Sequence, residues 1–520
     1  MGSKQLKRRV RKNKKTKRLS GNSTEATAIE RQSQDIQTSP KITVIIYTLL
    51  VLYISGFTYV RDYWYPADLF WDENYHIASA YKYLNHVMFM EPHPPLGKLL
   101  IALGEYIFHP NNNLYTASFL ATDYIKNVPP GFSFVGVRFF PVVFAVLGAI
   151  VFFFILYKIS KNPHISFLFT SFYLFDNALI VHNRGAMIDG IQIFFILLTF
   201  LYFLLLLDVE KLNNRQYFIM GLLVGLAVSV KLNGAILFLI FIPLFFYKQK
   251  KFLSGIIIKT FLSKAMLFFS GIAFIFCGVY YIHALLGQQV VAGRYYGASA
   301  GYRWILANHQ SYNPLYLPII LRDNLVYTSN YEAGVPKYKQ NNPHEDGSLP
   351  YMWPFGDKTV NYRWETNNRG ETVRYLYLVS NPLIWFSGLL GIISAVSLVI
   401  ATVFFKRSIS NKRLFFIIIV LLSLYIIYMY AMFNISRVLY LYHYFIPLLF
   451  SLILAFTIYI YIFEKRLEKG DKRLSYTTIV FILFIIIIYF FFSPLTYLQP
   501  LTKSQFLMRS WFPFWHMKPV

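Results

Sequence analysis

The sequence has few of the residues with which a soluble protein covers its surface. Only 14% of its 520 residues are charged, whereas 56% are hydrophobic and 19% are aromatic; soluble domains carry roughly 25% charged residues. This balance argues against a soluble enzyme, and it excludes a disordered chain, which requires low hydrophobicity. The composition therefore predicts a polytopic membrane protein.

Cysteine and acidic residues are also scarce. Cys277 is the single cysteine, so the chain can form no internal disulfide and no cysteine-based zinc site. Asp and Glu number 24 against 50 Lys and Arg, which gives a formal net charge of +26. In a membrane protein such an excess indicates loop charges that orient the helices, and nucleic-acid binding is the alternative that charge alone leaves open.

Eleven apolar segments are candidate membrane spans, because a span needs about 20 mostly apolar residues. They cover 42–60, 137–157, 164–182, 189–207, 216–231, 234–247, 264–283, 382–405, 414–432, 438–463 and 475–495. The fifth and sixth segments are short and closely joined between Lys231 and Gly234. An all-α protein with about eleven transmembrane helices is therefore predicted.

The distribution of basic residues predicts the orientation of these spans. If the N-terminus is inside, the inner loops include 158–163, 208–215, 248–263, 406–413 and 464–474. Together with the arm 1–41, these loops hold 29 of the 50 basic residues. This positive-inside pattern predicts a cytoplasmic N-terminus and, with eleven spans, a C-terminus outside. The charge then requires no nucleic acid.

The spans divide the chain into five predicted regions. These are a basic disordered cytoplasmic tail at 1–41, an N-terminal membrane region at 42–283 with a first outer loop at 61–136, a second large outer loop at 284–381, a four-helix membrane region at 382–495 and an outer tail at 496–520. Loops this long are usually functional when they are not linkers, so the chemistry is expected on the outer face.

The first outer loop carries two blocks of unusual composition. The sequence LFWDENYH begins at Leu69, and EPHPPLGK begins at Glu91. Between these blocks, apolar residues from Ile77 to Met88 recur at helical spacing. This pattern predicts an amphipathic helix that lies at the membrane surface.

Asp72 and Glu73 stand at the N-terminus of this predicted helix. One interpretation makes Asp72 an N-cap and Glu73 a first-turn acid that faces the helix dipole. The other makes one carboxylate a general base at the outer face, where it takes a proton from a hydroxyl nucleophile. Spacing alone does not separate the two interpretations.

The acidic pair followed by HPPLGK at His93 resembles the first loop of the protein O-mannosyltransferases, which are integral-membrane glycosyltransferases of the C type. Further motifs that resemble the family, in family order, are Gly136-Val137-Arg138, FDNAL from Phe175 with Arg184 and Asp189, GLA from Gly225 with Val230, Lys231 and Gly234, Asn381-Pro382 with Trp385, and YHY from Tyr442 with Pro447. The HPPLGK block is the most specific of them. The resemblance extends from about residue 60 to residue 450.

The chain also departs from part of this family. Its second outer loop is too short for the β-trefoil MIR domain that eukaryotic members carry there. Trp353-Pro354 and Tyr362-Arg363-Trp364 instead resemble the segment that bacterial members have before their last spans. The resemblance thus favours a short bacterial-type member in the inner membrane with a periplasm-facing site, and the endoplasmic reticulum is the alternative.

The resemblance implies transfer of mannose, or a similar hexose, from a dolichyl or polyprenyl phosphate to Ser or Thr hydroxyls of proteins at the outer or lumenal face. The reaction would be a single displacement with inversion. The implied partners are the lipid-linked donor, the acceptor proteins, the bilayer, and a second copy or the translocon. The donor is a co-substrate, and no metal site or other cofactor is implied.

The resemblance also assigns candidate site residues. Asp72 is the expected base, and Glu73 positions acceptor or sugar or tunes Asp72. Arg138, Lys98 and Lys231 bind the donor phosphate, and His93, Arg184, Asp189 and His443 contact substrate. Each of the less specific residues also has a structural alternative. His93 could cap the next helix, Lys98 and Lys231 could snorkel to headgroups, Arg184 and Asp189 could pair across an outer turn, and His443 could be a hydrogen-bonding residue in the helix core.

Two other functions compete with this interpretation. A related lipid-linked transferase that acts on lipid A or another glycan would share the acidic outer loop and the basic phosphate site. A transporter or lipid flippase should show inverted repeats with broken helices in matching positions. One break is visible, between Lys231 and Gly234, and the sequence shows no matching partner for it.

Overall fold

Apolar runs in a bilayer fold into helices, because each backbone N–H and C=O must find its partner within the segment. The computed structural model describes residues 40–247, 255–339, 346–366 and 371–519, so the predicted tail at 1–41 lies almost wholly outside the described residues. By internal packing the chain divides into Met1–Leu50 and Val51–Val520, and the contacts described below lie within the second unit.

The helices and strands alternate between long and short elements along the chain. In order they are α1 Pro40–Ser55, α2 Glu73–Leu84, α3 Leu96–Phe108, α4 Ala117–Leu120, α5 Val135–Ser160, α6 Pro163–Leu174, α7 Asn177–Asn183, α8 Asp189–Leu206, α9 Asn214–Val230, α10 Phe241–Phe246, α11 Gly255–Leu286, α12 Ala300–Ala307, α13 Leu317–Gly334, β1 Val360–Thr366, β2 Val373–Leu378, α14 Pro382–Val403, α15 Lys412–Phe433, α16 Phe445–Glu468, α17 Lys472–Thr496, β3 Pro500–Leu501 and α18 Lys503–Leu507. Short 3₁₀ turns lie at Leu232–Ile240 and Leu441–Tyr444, among others.

The chain is a multi-pass membrane protein. In its described part, eight helices are long and apolar enough to cross a membrane, and α6 with α7 forms a ninth candidate that bends by 62°. The fifth and sixth predicted spans are the shorter apolar helices Asn214–Val230 and Leu232–Phe246. Each of the eleven predicted segments is therefore helical, but only eight or nine have the length of a full span.

Four of the five predicted inner loops are in contact with one another, pair by pair. Lys158 and Arg413 contact the carboxylate of Asp208 at 2.7 and 3.3 Å. Asn411 donates a hydrogen bond to Glu464 at 2.7 Å. These residues come from the loops 158–163, 208–215, 406–413 and 464–474, which the sequence predicts on one side of the membrane. Which end faces the cytoplasm remains a prediction.

Glycine allows close packing between two of the membrane helices. A Cβ atom added to Gly221 on α9 would lie 2.0 Å from the carbonyl oxygen of Phe268 on α11. A Cβ atom added to Gly271 would lie 2.4 Å from the carbonyl oxygen of Phe218. Small residues at a helix interface let the backbones approach, and van der Waals packing then holds the helices together in lipid.

The helix predicted after Asp72 is α2, but its surroundings differ from the expectation. Ile77 and Ala80 are 0% exposed, because α2 packs against protein on several sides. Exposed apolar residues lie on α3 instead, where Tyr106 and Ile107 are 61% and 53% exposed. The prediction of an amphipathic surface helix is therefore wrong for α2, since the outer segments that cover it are distant in sequence.

A small antiparallel sheet, ordered β1-β2-β3, adds to the all-α architecture. It pairs Trp364 with Tyr375 and Val373 with Leu501, so the chain after α17 joins the second outer loop. The underlying core contains Tyr377, Phe506 and Trp515, among others. The predicted outer tail is thus an integral part of the fold.

The bend between α6 and α7 ties the two membrane regions together. Asp176 caps α7 by accepting a hydrogen bond from the backbone N–H of Leu179 at 2.9 Å. The same carboxylate accepts bonds from the indole N–H of Trp385 at 2.8 Å and the backbone N–H of Asn381 at 3.3 Å. A buried carboxylate is stable here because several donors converge on it.

Replacing Asp176 with Ala should lower the stability of the membrane domain by about 3 kcal/mol, because several buried donors lose their acceptor. Thermal unfolding in detergent measures this loss. Trp385→Phe is the comparison variant: it keeps an aromatic side chain, though a smaller one, and removes only one donor, so its midpoint should fall less. Equal midpoints for Asp176→Ala and the wild-type protein would contradict the proposed junction.

Candidate active site

A cavity of about 730 Å³ lies between the two predicted outer loops. Its lining residues come from four parts of the chain, namely the first outer loop, the end of α9, the second outer loop and the segment after α15. The predicted site residues that line it are Asp72, His93, Lys98, Lys231 and His443. Glu73, Arg138, Arg184 and Asp189 are not among its lining residues, although Asp189 contacts Lys231.

Asp72 lies directly before α2 and presents its carboxylate to the cavity. It makes no side-chain capping bond to α2, so the N-cap interpretation does not describe it. The one hydrogen bond that its side chain receives from the described residues comes from the Tyr442 hydroxyl at 3.2 Å. Burial raises the pKa of Asp72, while the charge of Lys231 opposes this shift. The carboxylate therefore remains available to a hydroxyl substrate.

Glu73 is fully buried and has a different task from its neighbour. Its two carboxylate oxygens accept bonds from Nε and Nη2 of Arg138 at 2.7 and 2.8 Å. The backbone N–H groups of Phe70 and Ala186 also donate to Glu73, at 3.1 and 2.8 Å. Four donors thus occupy the carboxylate, which leaves it no evident contact with acceptor or sugar.

Arg138 donates all of its hydrogen bonds to other groups of the protein. Besides Glu73, its guanidinium donates to the carbonyl oxygens of Trp64, Pro66 and Asp68 at 2.7–2.9 Å. All five N–H groups are therefore used, and the side chain is 0% exposed. This geometry argues against the expected contact with the donor phosphate. Arg138 instead fixes the segment that leads to Asp72.

Lys231 supplies a cation to the cavity that Asp72 also lines. The chain is extended at Lys231, with φ −148° and ψ 138°, which ends α9 and produces the break expected from the sequence. The ammonium lies 2.8 Å from Asp189 and 5.4 Å from the ring centroid of Tyr442. Its side chain is 9% exposed. Lys231 is thus held inside the fold, and the snorkelling alternative does not apply.

Asp189 joins Lys231 to a buried histidine. Its second oxygen lies 3.1 Å from Nε2 of His182, and Nδ1 of His182 lies 2.6 Å from the Tyr362 hydroxyl. Asp189 does not pair with Arg184, so the predicted pairing across the outer turn is wrong. Both carboxylate oxygens of Asp189 already have partners, which argues against the expected contact with substrate. Asp189 instead holds Lys231 in place.

Arg184 is a structural residue in this fold. Its guanidinium donates to the carbonyl oxygens of Arg61 and Asp62 at 2.6 and 2.8 Å, and it stacks 4.7 Å from the ring centroid of Tyr497. These contacts close the turn that follows α1. These contacts argue against the expected contact of Arg184 with substrate, because the guanidinium is already bound by carbonyl oxygens and an aromatic ring.

Two neutral imidazoles face the cavity from the first outer loop. His93 lines it between two prolines, and the helix cap of α3 is Pro95 without a side-chain bond, so the capping alternative for His93 is wrong. Burial lowers the pKa of His93 well below its ordinary value, and Lys231 adds to this shift. His76, one helical turn after Asp72, contacts the Ala186 carbonyl through Nδ1 at 2.7 Å, and burial lowers its pKa to about 3.

Lys98 and His443 complete the set of predicted residues in the cavity. Lys98 forms an ion pair with Glu91, which also accepts a bond from Ser79, and the lysine side chain is 2% exposed. Lys98 therefore does not snorkel to headgroups. His443 stacks on Tyr442 with ring centroids 4.6 Å apart, and its Nδ1 contacts the backbone of Tyr440. The His443 imidazole is thus hydrogen-bonded within the fold, as its structural alternative expects, and also forms part of the cavity wall.

Sequence reasoning misses several functional groups. Tyr442 belongs to a family-like motif, but nothing in its local pattern predicts the bond to Asp72, which is 370 residues away in the sequence. His76 could be found from its spacing of four residues after Asp72, which places both on one helical face. Arg437 and Glu332 also line the cavity and form an ion pair at 2.6 Å. Among the described residues, no group of three or more His, Cys, Asp or Glu could hold a metal ion.

The architecture matches a solved polytopic glycosyltransferase. The structure of the Saccharomyces cerevisiae protein O-mannosyltransferase Pmt1-Pmt2 complex bound to the sugar donor superposes with a TM-score of 0.74. The match covers 93% of each chain at 14% sequence identity, so it establishes the fold alone. The fold is that of a C-type membrane glycosyltransferase.

Two family models match most of the sequence. The model for dolichyl-phosphate-mannose-protein mannosyltransferase matches residues 49–286. The model for the C-terminal four TMM region of protein-O-mannosyltransferase matches residues 326–515. The chain therefore belongs to the protein O-mannosyltransferase family, as the first-loop motifs indicate.

Curated relatives are similar over shorter stretches. Dolichyl-phosphate-mannose–protein mannosyltransferase 6 of Saccharomyces cerevisiae is 29% identical over 169 residues, which cover 32% of this chain and 22% of that protein. Protein O-mannosyl-transferase 2 of Drosophila melanogaster is 24% identical over 201 residues, which cover 36% and 24%. The chain thus spans about a quarter of the length of the curated relatives it matches.

Arg138→Lys should destabilise the fold by about 3–5 kcal/mol, because a lysine cannot supply five donors to Glu73 and the three carbonyl oxygens. Thermal unfolding in detergent measures the change. Lys126→Ala, which removes an exposed cation from the loop before α5, is the control and should leave the midpoint unchanged. If Arg138→Lys kept wild-type stability but lost donor binding, Arg138 would contact the phosphate after all.

Proposed function

We propose that this protein transfers mannose, or a similar hexose, from a dolichyl or polyprenyl phosphate to Ser or Thr hydroxyls of proteins. Family membership supports the reaction class. The observation that carries the proposal is the contrast within the acidic pair: Glu73 is fully occupied by Arg138, whereas Asp72 faces the cavity. Only one of the two carboxylates can then meet a substrate.

Asp72 is the proposed general base. As the acceptor hydroxyl attacks the anomeric carbon, its proton passes to a carboxylate oxygen of Asp72. The bond between that carbon and the phosphate oxygen breaks, and the polyprenyl phosphate leaves with the bonding electrons. One base and no covalent sugar–enzyme intermediate fit a single displacement, which inverts the anomeric centre, by analogy with inverting hydrolases.

Lys231 is the proposed cation for the leaving phosphate. Charge builds on the phosphate oxygens as the glycosidic bond breaks, and a fixed cation in an enclosed site stabilises that charge. Asp189 and the ring of Tyr442 fix the ammonium next to Asp72. Lys98 lines the same cavity and pairs with Glu91 as Lys231 pairs with Asp189, so it is a second proposed cation for the phosphate.

The neutral imidazoles are proposed to hold the sugar and acceptor. An imidazole that stays neutral near pH 7 offers one donor and one acceptor, which suits sugar hydroxyls. His93 makes no hydrogen bond to the described part of the chain, and it lines the same cavity as Asp72. His443 lines the opposite segment of the wall and remains a proposed substrate contact.

The proposed site faces away from the cytoplasm. Supporting this orientation, residues of the basic inner loops contact one another, for example Arg413 and Lys158. The proposal therefore specifies the face of the membrane on which the site lies.

The sequence resemblance favours a bacterial inner membrane, whereas the curated relatives cited above come from yeast and fly. Cell fractionation distinguishes the two candidate membranes, the bacterial inner membrane and the endoplasmic reticulum. Association with a related chain is proposed by analogy with the Pmt1-Pmt2 complex.

Asp72→Asn should reduce transfer by about 10²–10⁴-fold, because an amide cannot accept the proton. The assay combines purified protein with a panel of polyprenyl-phosphate sugars and Ser/Thr peptides, read by mass spectrometry. Asp62→Asn makes the same chemical change at an exposed position of the same loop and should retain full activity. Wild-type transfer by a folded Asp72→Asn variant would exclude Asp72 as the base.

The rate of transfer should fall as the pH is lowered through the raised pKa of Asp72, because the protonated carboxyl cannot act as a base. The acid limb should therefore lie above the range of an ordinary aspartate, about 3.9. The Tyr442 bond favours the charged form, so Tyr442→Phe should move this limb to higher pH. A pH–rate profile measures both effects, and an acid limb that Tyr442→Phe leaves in place would disagree with them.

A further inference from the structure

Arg437 brings a second kind of cation to the cavity, from the short segment between α15 and the turn Leu441–Tyr444. Its Nε donates to Glu332 at 2.6 Å, and its Nη1 donates to the carbonyl oxygen of Val438 at 3.1 Å. These bonds use two of the five N–H groups of the guanidinium, and Nη2 has no hydrogen-bond partner in the described part of the chain. Arg437 thus has N–H groups that are not bonded to the described residues, whereas all five N–H groups of Arg138 are bonded.

The three cations that line the cavity differ in how firmly they are held. The side chains of Lys98 and Lys231 are 2% and 9% exposed, and their carboxylate partners Glu91 and Asp189 are 11% and 12% exposed. Arg437 is 20% exposed, and Glu332 is 38% exposed. An ion pair with a half-exposed partner contributes little to stability, so it is the pair that an incoming anion can open most easily.

Arg437 also acts electrostatically on the interior of the cavity. Its charge contributes to the lowered pKa of His93, which faces the cavity from the first outer loop. Both Arg437 and Glu332 line the cavity, together with Asp72 and Lys231. A guanidinium near these groups has the planar geometry that suits bidentate recognition of phosphate.

We propose that Arg437 binds the phosphate of the lipid-linked donor, and that Glu332 occupies the guanidinium when the cavity is empty. The inference rests on the proposed function, since it assumes a lipid phosphate as the ligand. Exchange of a carboxylate for a phosphate keeps the guanidinium neutralised throughout. Arg437 then remains on the phosphate when the sugar has left, so it binds donor and product alike.

The test measures binding of dolichyl phosphate, without sugar, to the full-length protein in detergent, for example by microscale thermophoresis. Arg437→Ala should weaken binding by about tenfold or more, because charge-assisted bonds are lost. Glu332→Gln should tighten binding, because the competing carboxylate is gone. The double variant should resemble Arg437→Ala. Lys337→Ala, an equal loss of charge at an exposed neighbour outside the cavity, should bind like wild type.

Two further probes separate the phosphate from the lipid tail. Dolichol without phosphate should bind wild type and Arg437→Ala equally weakly, and inorganic phosphate should compete only at high concentration, since it lacks the tail. Equal affinity of wild type and Arg437→Ala for dolichyl phosphate would overturn the inference while leaving the proposed function intact. Weaker binding by Glu332→Gln would also overturn it, because the ion pair would then be structural. Absence of dolichyl phosphate binding to wild type would instead remove the lipid donor from the proposed function itself.

Discussion

The buried ion pair between Glu73 and Arg138 is the constraint on which the rest of the site depends. Neither charge could remain in the interior without the other, because an unpaired buried charge costs several kcal/mol. The pair is further held by backbone groups from Trp64 to Phe70 and by Ala186. A segment with little regular structure is thereby fixed against α5 and the turn before α8.

This constraint explains how two adjacent carboxylates come to have different tasks. Successive residues at the start of a helix point in different directions, so fixing Glu73 toward Arg138 directs Asp72 toward the cavity. Opposite Asp72 stand Tyr442 and Lys231, the latter held by Asp189 and His182. Contacts within the protein thus hold Tyr442 and Lys231 beside the one available carboxylate of the pair.

The sequence predicts the parts of this structure that depend on local patterns. Apolar runs locate the helical segments, and the break at Lys231 is visible because charge and glycine interrupt a short run. The acidic pair and the HPPLGK block identify the segment that bears Asp72, the proposed base. The partners of Arg138 and Arg184 are not predictable in this way, because backbone carbonyl oxygens leave no signature in the sequence. The burial of α2 and the sheet with β3 likewise depend on segments hundreds of residues apart.

The origin of the cavity wall has a consequence for biosynthesis. Asp72 comes from the first outer loop, Lys231 from the end of α9, and Tyr442 from the turn before α16. A chain emerging from the ribosome therefore lacks part of the cavity wall until the segment before α16 has been synthesised. The proposed activity therefore requires that membrane segments far apart in the chain have first assembled around one cavity.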